Sequence, residues 1–83
     1  MKLEELTYEQ LRSLVDAATS QHIFEVFDEV FLAEANVFIC KRRGKRFNLK
    51  YDIDYGLSLE PVDRHTADEL TELTAVLTGM LPP

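Results

Sequence analysis

Residues 47–59 read FNLKYDIDYGLSL, in which every odd position is apolar and every even position is polar or glycine. Alternation of this kind is typical of a β-strand with one buried face. A straight strand of this length would span roughly 43 Å at about 3.3 Å per residue. A domain of this size has a diameter of only roughly 30 Å. The strand must therefore bend or break, and Gly56 favours a break. We expect two strands, at about 46–54 and 57–60.

A hairpin is expected immediately before this segment. The continuous apolar run VFIC (37–40) is typical of a strand, and the turn RRG (42–44) follows it. A three-residue loop ending in glycine suits a type I turn with a left-handed last position, and it pairs Lys41 with Lys45. A two-residue loop would require a positive φ at Arg43, which is costly. We therefore expect the three-residue loop.

The choice of loop decides which hairpin residues face the core. The three-residue loop places Val37 and Ile39 on the core face, whereas the two-residue loop places Phe38 and Cys40 there. Either register leaves two apolar residues on the second face. We expect that face to be covered by another element of this chain or by another chain, for example by a second copy in a homodimer.

Helix-start signals occur near both ends of the chain. The segments TYEQ (7–10) and TADE (66–69) fit the capping box, in which the first and fourth residues bond each other's backbone amides. Apolar residues then recur at helical spacing: Leu11, Leu14, Val15 and Ala18 in the first helix, and Leu70, Leu73, Leu77 and Leu81 in the last. Gly79 stands where a helix C-cap is expected. We predict helices over about 8–19 and 67–78.

The stretch 20–35 has features of both helix and strand. Its apolar residues Ile23, Phe24, Phe27, Val30 and Phe31 recur at helical spacing, which predicts a second helix after a break near 19–22. The competing interpretation is a strand over 22–27, because isoleucine, phenylalanine and valine favour strands. We favour the helix. The predicted fold is one α+β domain over 1–83, with two N-terminal helices, an antiparallel β-hairpin or small sheet containing a long alternating strand, and a C-terminal helix (α-α-β-β-(β)-α).

Charge is concentrated at one turn. The net charge is −6, yet the segment KRRGKR (41–46), which we call the basic tip, holds five of the nine basic residues. The rest of the chain has four basic and fifteen acidic residues, a net charge of −11. An acidic body disfavours nonspecific binding to nucleic acids and anionic membranes. It suits a basic protein partner.

The sequence contains no motif of a catalytic, cofactor or metal site. His22 and His65 are 43 positions apart and belong to no paired ligand motif, and Cys40 is the only cysteine. Asp52 and Asp54 lie on one strand face without further ligands at a recognisable spacing. We therefore expect neither an enzyme nor a cofactor. The single cysteine, the lack of an N-terminal leader and the lack of a long apolar run favour a cytoplasmic location and no membrane span.

These patterns favour a small, acidic, non-enzymatic protein-binding module, such as an inhibitor, adaptor or accessory protein. The candidates for partner binding are charged and aromatic residues of the hairpin and the following strand, together with two aromatic residues of the predicted second helix: Lys41, Arg42, Arg43, Lys45, Arg46, Phe38, Tyr51, Asp52, Asp54, Phe27 and Phe31. One alternative is contact of the basic tip with nucleic acid or phosphate. Another is mimicry of nucleic acid by the acidic body.

Overall fold

Two helices and a four-stranded sheet make up the fold, and the computed structural model describes residues 2–81. The elements follow the order α1 (Tyr8–Ser20), β1 (Glu25–Phe31), β2 (Ala35–Arg42), β3 (Lys45–Asp52), β4 (Gly56–Pro61) and α2 (Ala67–Gly79), and a 3₁₀ helix at Leu3–Glu5 precedes α1. The sheet is antiparallel, with the strands in chain order β1-β2-β3-β4. The predicted α+β class is confirmed, but only one helix precedes the strands.

One layer of helices covers one face of the sheet. The buried side chains of α1 and α2 join those of the strands in a single core: Leu6, Leu11, Leu14, Val15, Ala18, Phe24, Phe38, Cys40, Phe47, Leu49, Leu57, Leu73 and Leu77. Residues paired across antiparallel strands share a face. The pairs Phe38–Leu49 and Cys40–Phe47 therefore mark the covered face.

Both capping boxes form as predicted. The Thr7 hydroxyl accepts from the Gln10 amide at 3.2 Å, and the Gln10 side chain accepts from the Thr7 amide at 3.0 Å. The corresponding distances between Thr66 and Glu69 are 3.1 and 2.9 Å. Each box satisfies amides that have no partner inside the helix. Gly79, expected just beyond α2, is its last helical residue.

The predicted second helix is wrong, because α1 stops at a Schellman motif and the chain then enters β1. His22 adopts φ +58°, its amide donates to the Thr19 carbonyl, and the Ile23 amide donates to the Ala18 carbonyl at 2.9 Å. Glycine usually occupies this left-handed position, so a histidine there gives little sequence signal. The chain that follows pairs with β2, as its β-branched and aromatic residues favour.

The predicted hairpin register is also wrong. The turn has two residues, with φ +52° at Arg43 and +79° at Gly44, and Arg42 pairs with Lys45. A left-handed φ at Arg43 costs about 1–2 kcal/mol. Full burial of a large apolar side chain stabilises by about 1.5–3 kcal/mol. The two-residue turn buries Phe38 and Cys40 instead of Val37 and Ile39, and it pairs Phe38 with Leu49 and Cys40 with Phe47 on the covered face. The strain at Arg43 is thus comparable to the burial of one large side chain.

The long alternating segment breaks into β3 and β4, as its length requires. The break comes two residues earlier than predicted, since β3 ends at Asp52 and a turn over 53–55 leads to Gly56. Gly56 has φ +77°, and a Cβ there would lie 2.3 Å from the Glu4 carbonyl oxygen. Glycine at this position allows both the left-handed backbone and the close approach of the N-terminal segment.

Candidate interaction surfaces

The basic tip is largely neutralised by acidic residues of the same chain. Arg42 and Arg43 both lie 3.1 Å from the Glu72 carboxylate on α2. Lys45 lies 2.6 Å from Glu69, and Arg46 lies 2.8 Å from Asp63. In the part of the chain that the structure describes, Lys41 is the one basic residue of the tip without an ion pair. The positive charge free to attract phosphate is therefore much smaller than the sequence suggests.

Pairing with the basic tip lowers the pKa of each of its acidic partners. The side-chain hydrogen bond from Lys45 lowers the pKa of Glu69 to about 2, and the amide of Thr66 acts in the same direction. The hydrogen bond from Arg46 holds the pKa of Asp63 well below its usual range. The hydrogen bond from Arg42 lowers the pKa of Glu72. These groups remain ionised at neutral pH. Glu69 and Glu72 hold the tip against α2, and Asp63 holds it against the segment that precedes α2.

We expect acid to weaken this attachment. A carboxyl group whose folded pKa is lowered stabilises the fold above its unfolded pKa, and that stabilisation is lost as the pH falls towards the folded pKa. For Glu69 the window runs from its ordinary pKa down to about 2. Glu69→Gln should flatten the fall of the thermal midpoint in this window, while the glutamine keeps the capping box. Thermal unfolding followed by circular dichroism between neutral and strongly acidic pH would measure it. An unchanged pH profile in the variant would contradict the expectation.

Exposed apolar residues gather at the opposite end of the sheet, where the β1–β2 and β3–β4 turns meet. The Ile53 amide donates to the Glu34 carbonyl at 3.1 Å and ties the two turns together. Four apolar side chains at this end are more than half exposed: Phe31 (69%), Leu32 (54%), Ile53 (71%) and Tyr55 (85%). We call this end of the sheet the turn end, and these four residues are its exposed apolar side chains. Clustered exposure of this kind is characteristic of a contact surface.

A shallow groove enters the turn end between α1 and the strands. Tyr8, Asn36 and Tyr51 line it together with Leu32 and Ile53. The rings of Tyr8 and Tyr51 are tilted against each other, with centroids 6.0 Å apart. The groove thus offers an aromatic wall beside the exposed aliphatic side chains.

Hydrogen bonds to one carboxylate fix the wall of this groove. The Glu29 carboxylate accepts from the Tyr8 hydroxyl, from the Arg12 guanidinium at 2.6 Å and from the side-chain amide of Asn36 at 3.3 Å. These bonds connect α1 to β1 and β2. A wall fixed in this way loses little side-chain entropy when a partner binds.

Acidic residues surround the turn end. Asp54 and Glu34 are exposed. The Asp52 carboxylate accepts from the amides of Asp54 (2.8 Å) and Tyr55 (3.1 Å), which stabilises the β3–β4 turn. Within residues 2–81, none of these three carboxylates forms an ion pair, so the rim of the turn end is negatively charged.

The predicted partner-binding residues fall into separate regions. The five basic ones form the tip, whereas Phe31, Tyr51, Asp52 and Asp54 lie at the turn end. Phe27 is the extra residue of a β-bulge in edge strand β1 and is well exposed. Phe38, predicted on the second face of the hairpin, is instead 2% exposed in the core because of the shifted register.

Sequence reasoning missed Leu32, Glu34, Ile53 and Tyr55 as surface candidates. Ile53 and Tyr55 continue the alternation of β3 and so read as core positions. Their exposure follows from the three-residue turn, which bends the chain away from the core and restores the alternation at Leu57, opposite Tyr51. The acidic pair Asp52 and Asp54 around Ile53 was the available signal for a turn.

Neither an accessible thiol nor a metal-ligand cluster is present among the residues that the structure describes. Cys40 is fully buried, and burial raises the pKa of its thiol to about 12, so it is not a nucleophile at neutral pH. No cluster of three or more metal-ligating side chains occurs in the described chain.

Among residues 2–81, no helix is long and apolar enough to span a membrane. Comparison of the chain with protein-family models, curated proteins and solved structures finds no significant match.

Proposed function

We propose that this chain is a non-enzymatic protein-binding module, such as an inhibitor, adaptor or accessory protein, and that its turn end docks the partner. The observation that carries the proposal is the meeting of four exposed apolar side chains at one end of the sheet, within an acidic rim. Aromatic and aliphatic anchors surrounded by polar residues are typical of protein interfaces. The rim favours a partner segment that combines an apolar side chain with lysine or arginine.

The geometry supports this surface better than the basic tip. A phosphate backbone that approaches the tip must compete with Asp63, Glu69 and Glu72, which already bind four of the five basic side chains. Contact of the tip with nucleic acid is thus the weaker candidate. Mimicry of nucleic acid remains compatible with the charge, since eleven of the fifteen acidic residues lie outside the ion pairs of the described chain.

Affinity capture with the tagged protein, followed by mass identification, tests the proposal. The double variant Ile53→Ser, Tyr55→Ser should fold normally, because both side chains are mostly exposed, but should lose the partner. Phe27→Ser removes a comparably exposed apolar side chain away from the turn end and serves as the matched control. Calorimetry with the purified partner should then show at least a tenfold weaker affinity for the double variant, which corresponds to about 1.4 kcal/mol.

Two outcomes would contradict the proposal. Equal capture of the partner by wild type and by the Ile53, Tyr55 double variant would remove the turn end from the interface. Loss of binding in a variant with Arg42, Arg43, Lys45 and Arg46 changed to alanine, with the turn-end variant unaffected, would favour the basic tip. Competition between the recovered partner and double-stranded DNA separates nucleic-acid mimicry from plain docking.

A further inference from the structure

The two outer edges of the sheet, along β1 and β4, differ in what lies beside them. The 3₁₀ helix at Leu3–Glu5 lies against the start of β4, where a Cβ on Gly56 would be 2.3 Å from the Glu4 carbonyl oxygen. β4 ends at Pro61, which has no amide hydrogen to donate. In the described chain, no backbone hydrogen bond joins Glu25–Phe31 to an element other than β2. The edge of β1 is therefore the one with room for another strand.

The composition of β1 favours such an addition. The strand reads EVFDEVF (25–31), in which four of seven residues are valine or phenylalanine. Phe27 is 60% exposed and Phe31 is 69% exposed. Aromatic and β-branched residues favour strands, and an exposed apolar edge strand pairs with other chains unless some feature blocks it. A blocking feature is therefore expected on β1.

The hydrogen bonds near the end of β1 show which of its backbone groups point outward. In an antiparallel pair, residues that bond the neighbouring strand alternate with residues whose backbone groups point away from it. The Leu32 amide donates to the Ala35 carbonyl at 2.8 Å, so the alternation places the backbone groups of Phe31 and Glu29 on the outer edge. The bulge at Phe27 interrupts the alternation beyond that point. Glu29 and Phe31 thus form the regular part of the outer edge.

One of these two outer amides is already occupied. The Asp28 carboxylate accepts from the Glu29 amide at 2.8 Å. A hydrogen bond to a charged acceptor is roughly twice as strong as one between neutral groups. An incoming strand would have to break this bond before its own carbonyl could accept from the Glu29 amide. Its carbonyl oxygen would also approach the negative charge of Asp28.

We infer that Asp28 closes the free edge of the sheet and prevents β1 from pairing with β1 of a second copy. Without this carboxylate, two copies would exchange backbone hydrogen bonds about a two-fold axis at Val30. Glu29 of each copy would then lie opposite Phe31 of the other, and the two Val30 side chains would face each other. This arrangement brings no like charges directly opposite, so the side chains of the pair do not oppose it. The hydrogen bond of Asp28 is what opposes it.

Sedimentation equilibrium over micromolar to submillimolar concentrations tests the inference with three variants that each remove one negative charge. Asp28→Val removes the charge and the hydrogen-bond acceptor, whereas Asp28→Asn removes the charge but keeps an acceptor oxygen. Glu25→Val places the same apolar side chain at another exposed position of β1. Asp28→Val should rise in mass from 9.6 kDa towards twice that value, at a concentration at least tenfold lower than wild type requires. Asp28→Asn and Glu25→Val should behave like wild type.

Hydrogen exchange followed by NMR, at a concentration where each protein is monomeric, measures the hydrogen bond itself. After correction for intrinsic exchange rates, the Glu29 amide of the wild type should exchange more slowly than the Phe31 amide, which points the same way. Asp28→Asn should keep this difference, and Asp28→Val should lose it. Because the wild type alone already gives the first comparison, this test holds even where Asp28→Val folds poorly. Circular dichroism of each variant reports its fold.

Four results would overturn the inference. The first is an Asp28→Val protein that folds and stays monomeric wherever wild type does. The second is Asp28→Asn associating as readily as Asp28→Val, which would assign the effect to charge alone. The third is Glu25→Val associating as readily, which would assign it to added apolar surface. The fourth is equal exchange of the Glu29 and Phe31 amides in the wild type. The variants leave the four apolar residues of the turn end unchanged, so none of these results decides whether the turn end docks a partner.

Discussion

Gly56→Ala should lower the free energy of unfolding by about 2–5 kcal/mol, the sum of the strain of a left-handed φ and the cost of an overpacked contact. The new methyl group would lie 2.3 Å from the Glu4 carbonyl oxygen. A backbone atom cannot rotate away as a side chain can, so the 3₁₀ helix at Leu3–Glu5 must shift from β4. Urea unfolding followed by circular dichroism would measure the loss.

The other two glycines provide matched controls. Gly44→Ala meets the same backbone problem, since φ is +79°, but no atom lies within 4 Å of the new methyl group. It should cost only about 1–2 kcal/mol. Gly79→Ala lies in α2 with open space around it and should stabilise the protein by up to about 1 kcal/mol. Equal losses at Gly56 and Gly44 would show that the contact with Glu4 contributes nothing.

Phe47→Ala should have the second large effect. Phe47 is fully buried, pairs with Cys40 across the sheet, and packs edge to face against Phe24 with ring centroids 5.5 Å apart. Removal of a buried phenylalanine side chain costs about 3–5 kcal/mol, through lost transfer energy and the cavity that remains. A chain of 83 residues has a total stability of only about 4–12 kcal/mol.

The variant should therefore be strongly destabilised or unfolded at room temperature. Tyr55→Ala removes another aromatic ring, but one that is mostly exposed, and should change the free energy of unfolding by less than about 0.5 kcal/mol. The urea midpoints of the two variants give the comparison. A similar midpoint for Phe47→Ala and Tyr55→Ala would contradict the core assignment.

The helices and the broken strand were predictable because their signals are local. A capping box fixes a helix start within four residues, and the alternation from Phe47 onwards, combined with its excessive length, required a break. The register of the β2–β3 hairpin depends instead on the whole core. The strain at Arg43 was visible in the sequence, but the burial that offsets it depends on elements distant in the chain.

The β1 strand was hidden for a different reason. The helical spacing came from Phe27, Val30 and Phe31 among others. Phe27 is the extra residue of the bulge, whereas Val30 and Phe31 are consecutive strand residues that face opposite sides of the sheet, so the spacing does not mark one face. The ion pairs of the basic tip were also not predictable from the sequence. Glu69 and Glu72 follow the tip by more than twenty residues, and only the folded chain brings them beside Arg42 and Lys45.

The strand order β1-β2-β3-β4 has a kinetic consequence. Each strand pairs only with its neighbours in the chain, so the sheet can form by successive closure of short loops, and an isolated hairpin forms in about 1–10 μs. The core shared by α1 and α2 instead brings together opposite ends of the chain and needs the largest loss of chain entropy. We expect the helices to dock after the central hairpin. Substitutions at Leu11 or Leu77 should then mainly accelerate unfolding, whereas those at Phe38 or Leu49 should mainly slow folding.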